Sequence, residues 1–329
     1  PRRFARELSQ PCSSGLLSAL RSILDEGVIV MVFRVGAIDP RDREGRKALL
    51  RKLGVPIDHA LEFRLALWRA VRDTGPSKGS FMQLHTSSWP EVEAYLTRSK
   101  GIVIPIGSTE QHGPNGLIGT DAICPEVIAA HAGSQADMLV APTFNVGCAQ
   151  HHMAFPGSMT LRPSTMIAVI YDWVLSLGRH GFDRIYFFNG HGGNISTIQA
   201  AFAEIYADRS LARDGSNRGP VKCKLANWWD YKPVYKYCMD TYGKSHGAHA
   251  TPSEVAVTQY AYPDAIKTTE MTPKIAPSAR YTDAEDYREK FPDGRIGSDP
   301  SLANPEDGKK LVELSSKGLI EDFAAFVAG

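Results

Sequence analysis

Three side chains that commonly bind metal ions, Glu110, His112 and Asp121, lie in one short stretch of the sequence. They follow the apolar run 102–106, which predicts a buried strand, and they precede residues 122–132, which predict a helix. In an open α/β sheet, binding sites form at the carboxyl ends of strands. A Glu-x-His pair alone is most simply a solvated loop. Three ligand types beside a strand end make a metal site an equal alternative.

A second cluster, residues 189–194, reads Asn-Gly-His-Gly-Gly-Asn and follows the predicted strand 185–188. It opens the next predicted helix, so its backbone N–H groups face the same edge of the sheet as Glu110. The small neighbours of His191 suit a metal ligand that a substrate must also approach. Neither a dinucleotide fingerprint nor a P-loop lysine accompanies these glycines, which argues against a phosphate cradle and a dinucleotide-dependent oxidoreductase.

A third cluster, residues 245–254, places His249 and Glu254 on either side of a turn that enters a predicted helix. Taken alone, Glu254 is an acidic residue in the first turn of a helix, where the helix dipole favours it. Together the three clusters supply two imidazoles and three carboxylates, a set typical of two divalent cations such as zinc, manganese or iron. These five candidate ligands are Glu110, His112, Asp121, His191 and Glu254.

The elements that must position these residues alternate along the chain. Strands followed by helices of about 10–17 residues predict an α/β fold with a mainly parallel sheet that is covered on both faces. Residues 263–305 lack periodicity and predict a long loop, of a length that is more often functional than idle. The predicted strands are 102–106, 138–143, 184–188 and 221–228. The predicted helices are 88–97, 122–132, 163–179, 195–208, 253–262 and 304–327.

Composition narrows the function classes. The 329 residues are 43% hydrophobic and 22% charged, a globular balance, and the net charge of +1 gives no argument for binding nucleic acid or membrane. Five scattered cysteines without a C-x-x-C pair, and no apolar run of about 18 residues, lead us to expect a cytoplasmic protein. We interpret residues 1–80, which are more basic than the remainder, as an N-terminal extension of unknown role, with Met82 as an alternative start. Residues 81–329 would form the metal-dependent domain.

These motifs closely resemble the creatininase (creatinine amidohydrolase) family. The resemblance is carried by residues 107–114, 119–121, 189–194 and 249–254, with matching spacing, and it extends from about residue 82 to the C-terminus. It implies a three-layer α/β/α fold, a dinuclear metal centre and hydrolysis of a non-peptide amide. Family members commonly form hexamers, so we expect a homo-oligomer.

The resemblance also implies a role for each candidate ligand. Glu110 and His191 would hold one metal ion, His112 and Glu254 would hold the other, and Asp121 would bridge them. His249 would lie close by as the catalytic proton shuttle.

The chain also departs from the family pattern. The prototype enzyme carries Tyr and Glu where this chain has Gly192 and Gly193, and that Glu is a metal ligand, so Glu254 must take its place here. The Gly-Gly form also occurs in relatives that act on formamides or on peptides. The motifs therefore identify the family more firmly than the substrate.

The predicted reaction is hydrolysis of a small cyclic amide such as creatinine. Two cations roughly 3.5–4 Å apart would share a bridging water and polarise the substrate carbonyl. A metal ion, with help from backbone donors of residues 189–194, would stabilise the oxyanion, and His249 would protonate the leaving nitrogen. Trp228 and Trp229 would stack on a flat substrate, and packing in the core is an equal alternative for both. The predicted substrate-binding residues are His152, Asn189, Gly192, Gly193, Trp228 and Trp229.

Two other functions remain open. One is the same chemistry on a formamide or a peptide, and the other is a non-catalytic metal-binding scaffold that uses the basic N-terminal region. The predicted partners are a small-molecule amide and further copies of the chain, without nucleic acid or membrane.

Overall fold

One parallel sheet forms the centre of the fold. The structure, a computed structural model, describes residues 82–212 and 221–329, and the predicted extension at 1–80 lies outside the described residues. The strands are β1 (Met82–Gln83), β2 (Gly101–Ile106), β3 (Leu139–Val140), β4 (Arg184–Asn189) and β5 (Lys222–Asn227). Their order in the sheet is β1-β3-β2-β4-β5, and every adjacent pair is parallel.

Eight α-helices lie in the described part of the chain. They are α1 (Trp89–Leu96), α2 (Thr120–Gly133), α3 (Pro163–Arg179), α4 (Ile195–Leu211), α5 (Lys232–Tyr242), α6 (Pro252–Ala261), α7 (Ala284–Lys290) and α8 (Pro305–Ala328). The helix predicted over 163–179 has these bounds in the structure. The sequence reasoning missed β1, α5 and α7. No helix in these two ranges is long and apolar enough to cross a lipid bilayer.

Side chains on the two faces of the sheet enter two separate cores, which confirms the predicted three-layer α/β/α fold. The six residues of β2 are all buried, as expected for a central parallel strand. Ile102 and Ile104 pack with residues of α3 and α4 on one face. Val103 packs on the other face, together with residues of α2, α5, α6 and α8. Tyr186 and Phe188 of β4 join the second core.

Helix α8 packs closely on α6, which carries the predicted ligand Glu254. A Cβ on Gly308 would lie 2.0 Å from the backbone carbonyl oxygen of Ala256, so only glycine permits this approach. The first turn of α6 is closed by a capping box between Thr251 and Glu254. The packing and the cap together fix where α6 begins and where its first acidic side chain lies.

The segment 263–305, predicted as a long loop, contains α7 and is fastened to the loop that carries Glu110. Its Arg295 is fully buried and donates hydrogen bonds to the Asp293 carboxylate and to backbone carbonyls of Pro273, Lys274 and Ser298. Arg295 also packs against Gly113, where φ is +66° and a Cβ would lie 2.8 Å from Cγ of the arginine. The segment therefore forms part of the wall beside the predicted metal ligands.

Candidate metal centre

The loops after β2 and β4 lie side by side because the two strands end in register. Ile106 pairs with Asn189, and the backbone N–H of Gly190 donates to the carbonyl of Ile106 over 2.8 Å. The first turn of α2 sits against both loops. A Cβ on Gly107 or Gly190 would lie 2.1 or 2.0 Å from the backbone oxygen of Asp121. These two glycines let Asp121 enter the space between the strand ends.

Asp121 connects the two groups of ligands that the sequence predicts. Its Oδ1 lies 3.0 Å from Nε2 of His112, and its Oδ2 lies 2.8 Å from Nδ1 of His191. Glu110, Asp121 and His191 form one possible ligand set, and His112, Asp121 and Glu254 form another, each with ligand atoms within 4.8 Å of one another. The two sets share the Asp121 carboxylate, which could therefore contact two neighbouring cations.

Backbone carbonyls orient both imidazoles. Nδ1 of His112 lies 3.1 Å from the carbonyl oxygen of Glu110, and Nε2 of His191 lies 3.0 Å from that of Cys148. Because a carbonyl only accepts hydrogen bonds, these nitrogens carry the proton in a neutral ring. The other nitrogen of each ring then directs a lone pair toward Asp121, an arrangement that a proton or a cation between them stabilises. Metal-ligating histidines commonly donate their second N–H in this way.

Glu110 is a buried carboxylate that lacks hydrogen-bond partners among the described residues. It is fully buried, and neither of its oxygens accepts a hydrogen bond of adequate geometry. Nε2 of His152 lies 3.0 Å from one oxygen and Nε2 of His191 lies 3.3 Å from the other, but these contacts are not aligned as hydrogen bonds. Burial of an unpartnered carboxylate is costly, so the arrangement fits a cation at this position.

Three of the candidate ligands, Glu110, His112 and His191, have raised pKa values, so a cation must displace their protons. Burial raises the pKa of Glu110 to about 8, although His191 opposes the shift. Burial lowers the pKa of His112, but the Asp121 carboxylate outweighs it and brings the value to about 10. The pKa of His191 reaches about 9 because Glu110 and Asp121 likewise outweigh burial. Burial raises the pKa of Asp121, but the two imidazoles outweigh it and hold the value well below the usual range.

Glu254 caps a helix and also belongs to a possible ligand set, two roles that the sequence presented as alternatives. Its Oε2 accepts hydrogen bonds from the backbone N–H and the hydroxyl of Thr251, each over 2.8 Å, which caps α6. The second carboxylate oxygen remains for the ligand set with His112 and Asp121. The helix cap therefore fixes the rotamer of this candidate ligand.

His249 lies beside the ligands, where the sequence places the proton shuttle. Its ring centroid is 4.6 Å from that of His112, and its Nδ1 is 3.8 Å from Oε1 of Glu110. Nε2 of His249 lies 2.9 Å from the backbone oxygen of Gln111. Burial and the nearby charge of His112 lower the pKa of His249. The imidazole is therefore neutral at neutral pH, and its catalytic role stays a prediction.

A family model described as creatinine amidohydrolase (Creatininase) matches residues 85–323 of this chain. The chain belongs to the creatininase family. It is 28% identical over 176 residues to the mycofactocin precursor peptide peptidase of Mycolicibacterium smegmatis, an alignment that covers 52% of this chain and 61% of the relative. It is 23% identical over 247 residues to the creatinine amidohydrolase of Pseudomonas putida, covering 71% and 93% of the two chains.

A crystal structure of creatinine amidohydrolase shares the fold of this creatininase-family chain. The TM-score is 0.67 at 20% identity, over 76% of this chain and 99% of that one. The α/β architecture predicted from the motifs is therefore the family architecture.

The structure places the predicted substrate-binding residues in different environments. Asn189 is fully buried, and its amide bonds to the backbone of His191 and to the side chain of Asn227. Gly192 and Gly193 are exposed. Substrate contact by these residues and by His152 stays a prediction. What the structure shows for Asn189 is a brace that orients His191.

The two tryptophans differ in environment. Trp228 is 1% exposed and packs in the second core, which corresponds to the packing alternative. Trp229 is partly buried and packs at the edge of the same core. Stacking of either ring on a substrate stays a prediction, with Trp229 the more accessible of the two.

Several residues of the site gave no signal in the sequence. Tyr281 stacks on His151 at 5.0 Å between ring centroids, and Tyr287 meets His152 edge-on at 4.7 Å. Both tyrosines come from the non-periodic segment 263–305. Neither tyrosine lies in a motif or at a diagnostic spacing, so only the length of that segment marked it as functional.

Asn194 is a further site residue, and its place in the motif did not predict a role for its side chain. Its amide donates to the carbonyl of Gly107 over 2.9 Å and accepts from the N–H of Cys148 over 3.0 Å. Asn194 thereby ties together the loops that carry Glu110, Cys148 and His191. Asn194, the last residue of the Asn-Gly-His-Gly-Gly-Asn motif, therefore has a structural role.

The two adjacent glycines provide a matched test of how His191 is held. A Cβ on Gly193 would lie 2.4 Å from Nε2 of His191, whereas a Cβ on Gly192 meets no atom within 4 Å. We expect Gly193→Ala to displace the imidazole and to weaken zinc binding about 10–100-fold. We expect Gly192→Ala to retain wild-type zinc affinity. Competition with a chromogenic chelator measures both, and wild-type affinity in folded Gly193→Ala would contradict the assignment.

Metal binding should strengthen as the pH rises. At neutral pH the cation-free site holds protons on Glu110, His112 and His191, whose pKa values are about 8, 10 and 9. Two cations must displace about three protons, so affinity increases as the pH rises from neutral toward these pKa values. Calorimetry in buffers of different ionisation enthalpy measures the protons released. Zinc binding without proton release at pH 7 would contradict this charge arrangement.

Proposed function

We propose that this chain is a metal-dependent amidohydrolase that holds two divalent cations on either side of Asp121. The observation that carries the proposal is the Asp121 carboxylate, whose two oxygens face His112 and His191 separately. Solved creatininase structures include a Zn–Zn type mutant and a manganese form. Nitrogen and carboxylate ligands suit both metals. Zinc and manganese are accordingly the first cations to test.

The residues fit such a pair of cations. Glu110 and His191 would hold one, His112 and Glu254 the other, and Asp121 would bridge them. The buried oxygens of Glu110, which accept no well-aligned hydrogen bond from the described residues, give the clearest support for a cation at this position. When bound, two divalent cations supply Lewis acidity toward an amide carbonyl and lower the pKa of water.

His249 is the group that moves the proton in the proposed reaction. Its Nε2–H donates to the carbonyl of Gln111, which leaves the lone pair of Nδ1 facing the ligands. That nitrogen takes the proton of the attacking water and delivers it to the leaving nitrogen. The transfer matters because an amide nitrogen leaves readily only when it is protonated. Because it is neutral at neutral pH, the imidazole can accept the proton in the first half of this transfer and release it in the second.

Two substrate classes follow from this chemistry. The first is a small cyclic amide such as creatinine, on which the Pseudomonas putida relative is named to act. The second is a peptide amide bond, favoured by the 28% identity to a precursor peptide peptidase. The exposed Gly192, with open space above it, leaves room for either.

A substrate panel with two histidine variants tests the function. We expect metal-loaded wild-type protein to hydrolyse creatinine or a short peptide, with formamides as a third arm. His249→Gln should lower kcat about 10²–10⁴-fold and retain its metal, because it removes only proton transfer. His131→Gln is the control, since His131 lies near the C-terminal end of α2 and bonds to Ser316 of α8 and to Gln135. Full metal loading without turnover of any amide would instead favour a non-catalytic scaffold.

A further inference from the structure

Hydrogen bonds hold the side-chain amide of Gln111 in one orientation. Gln111 is 5% exposed and lies between Glu110 and His112 in the chain. Its Oε1 accepts from the backbone N–H of Gly113 over 2.8 Å, and its Nε2 donates to the backbone oxygen of Gly294 over 2.9 Å. A flipped amide would set oxygen against oxygen and N–H against N–H. The positions of the amide nitrogen and oxygen are therefore determined.

The segment 263–305 reaches this amide through a position that requires glycine. Gly294 has φ of +85°, and a Cβ there would lie 1.9 Å from Oε1 of Gln111. Its carbonyl oxygen also accepts a hydrogen bond from the hydroxyl of Tyr287 over 2.8 Å. The hydroxyl of Tyr287 and the amide of Gln111 therefore donate to the same carbonyl oxygen.

The second N–H of the Gln111 amide has two imidazole nitrogens within reach. Nδ1 of His152 and Nε2 of His249 each lie 2.9 Å from Nε2 of Gln111. Nε2 of His249 has another partner, the backbone oxygen of Gln111, to which it donates. Nδ1 of His152 has no other partner in the described ranges. Both imidazole nitrogens are satisfied only when Gln111 donates to His152.

We propose that Gln111 is a positioning residue that holds His152 in the tautomer protonated at Nε2. That nitrogen lies 3.0 Å from Oε1 of Glu110, so His152 faces Glu110 with an N–H and not with a lone pair that a cation could use. Glu110, His152 and His249 have ligand atoms close enough for a third metal site. The tautomer excludes His152 from that role and keeps Glu110 available to the cation at His191.

This inference rests on the metal centre of the proposed function, but its test needs no substrate. The ring ¹⁵N shifts of His152, assigned with the His152→Gln variant, report the tautomer in metal-free and zinc-loaded protein. We expect protonated Nε2 in both states. Gln111→Glu removes the donor while retaining the shape, so His152 should become protonated at Nδ1. Nε2 then turns a lone pair toward Glu110, and zinc binding should weaken about 10–100-fold.

Asn115→Asp provides the matched control, because Asn115 is another buried amide of the same loop. Its Nδ2 donates to the carbonyl of Pro300 over 3.2 Å and contacts neither histidine. We expect this variant to keep the wild-type tautomer of His152 even if its stability falls. Gln111→Met serves if Gln111→Glu does not fold, and it should give a mixture of the two tautomers.

Two results would overturn the proposal. One is an unchanged His152 tautomer in a folded Gln111 variant, and the other is a metal-bound shift at Nε2 of His152 in zinc-loaded wild-type protein. The tautomer is measured without a substrate, so it does not depend on amide hydrolysis. Failure of the proposed function can therefore be distinguished from failure of this inference.

Discussion

The site depends on one buried carboxylate between two imidazoles. Asp121 is 2% exposed, and a charge in that position is stable only if positive groups face both of its oxygens. In the cation-free protein the protonated forms of His112 and His191 supply that charge. Divalent cations would supply it in the loaded protein, with each imidazole then acting through its lone pair. The same geometry therefore suits a protonated state and a metal-bound state.

Several features of the surrounding backbone allow the candidate ligands to lie close together. Gly107 and Gly190 admit the first turn of α2, and Gly193 leaves room for the ring of His191. The parallel register of β2 and β4 places both loops at one edge of the sheet. Helix α6 fixes Glu254 through its own cap. Backbone geometry therefore helps to position the candidate ligands Asp121, His191 and Glu254.

The sequence predicted the fold well where motifs and periodicity agreed. The apolar runs at β2 and β4 and the amphipathic pattern of α3 located the layers, because a buried parallel strand and a half-buried helix have distinct periods. The ordered motifs, compared with a known family, suggested which ligands share Asp121, and the structure brings the two sets together. Metal binding by these residues stays a prediction.

Other parts of the site gave no sequence signal because long-range contacts decide them. Tyr287 and Gly294 contact Gln111 although they lie far from it in sequence, and hydrogen bonds of Arg295 hold together the segment that carries them. The burial of Trp228 results from packing of α5 and α8 on the sheet, which its position at a strand end did not indicate. Asn189 holds His191 in place through its side-chain amide. The sequence alone does not distinguish this role from direct contact with the substrate.

The metal content of wild-type protein and of the Asp121→Ala variant tests the central claim most directly. After loading with zinc or manganese and removal of free metal, plasma mass spectrometry counts the ions per chain. The shared carboxylate predicts about two ions in the wild type and loss of both in the variant, because each ligand set needs Asp121. A wild type without metal after loading, or a variant that retains both ions, would contradict the account.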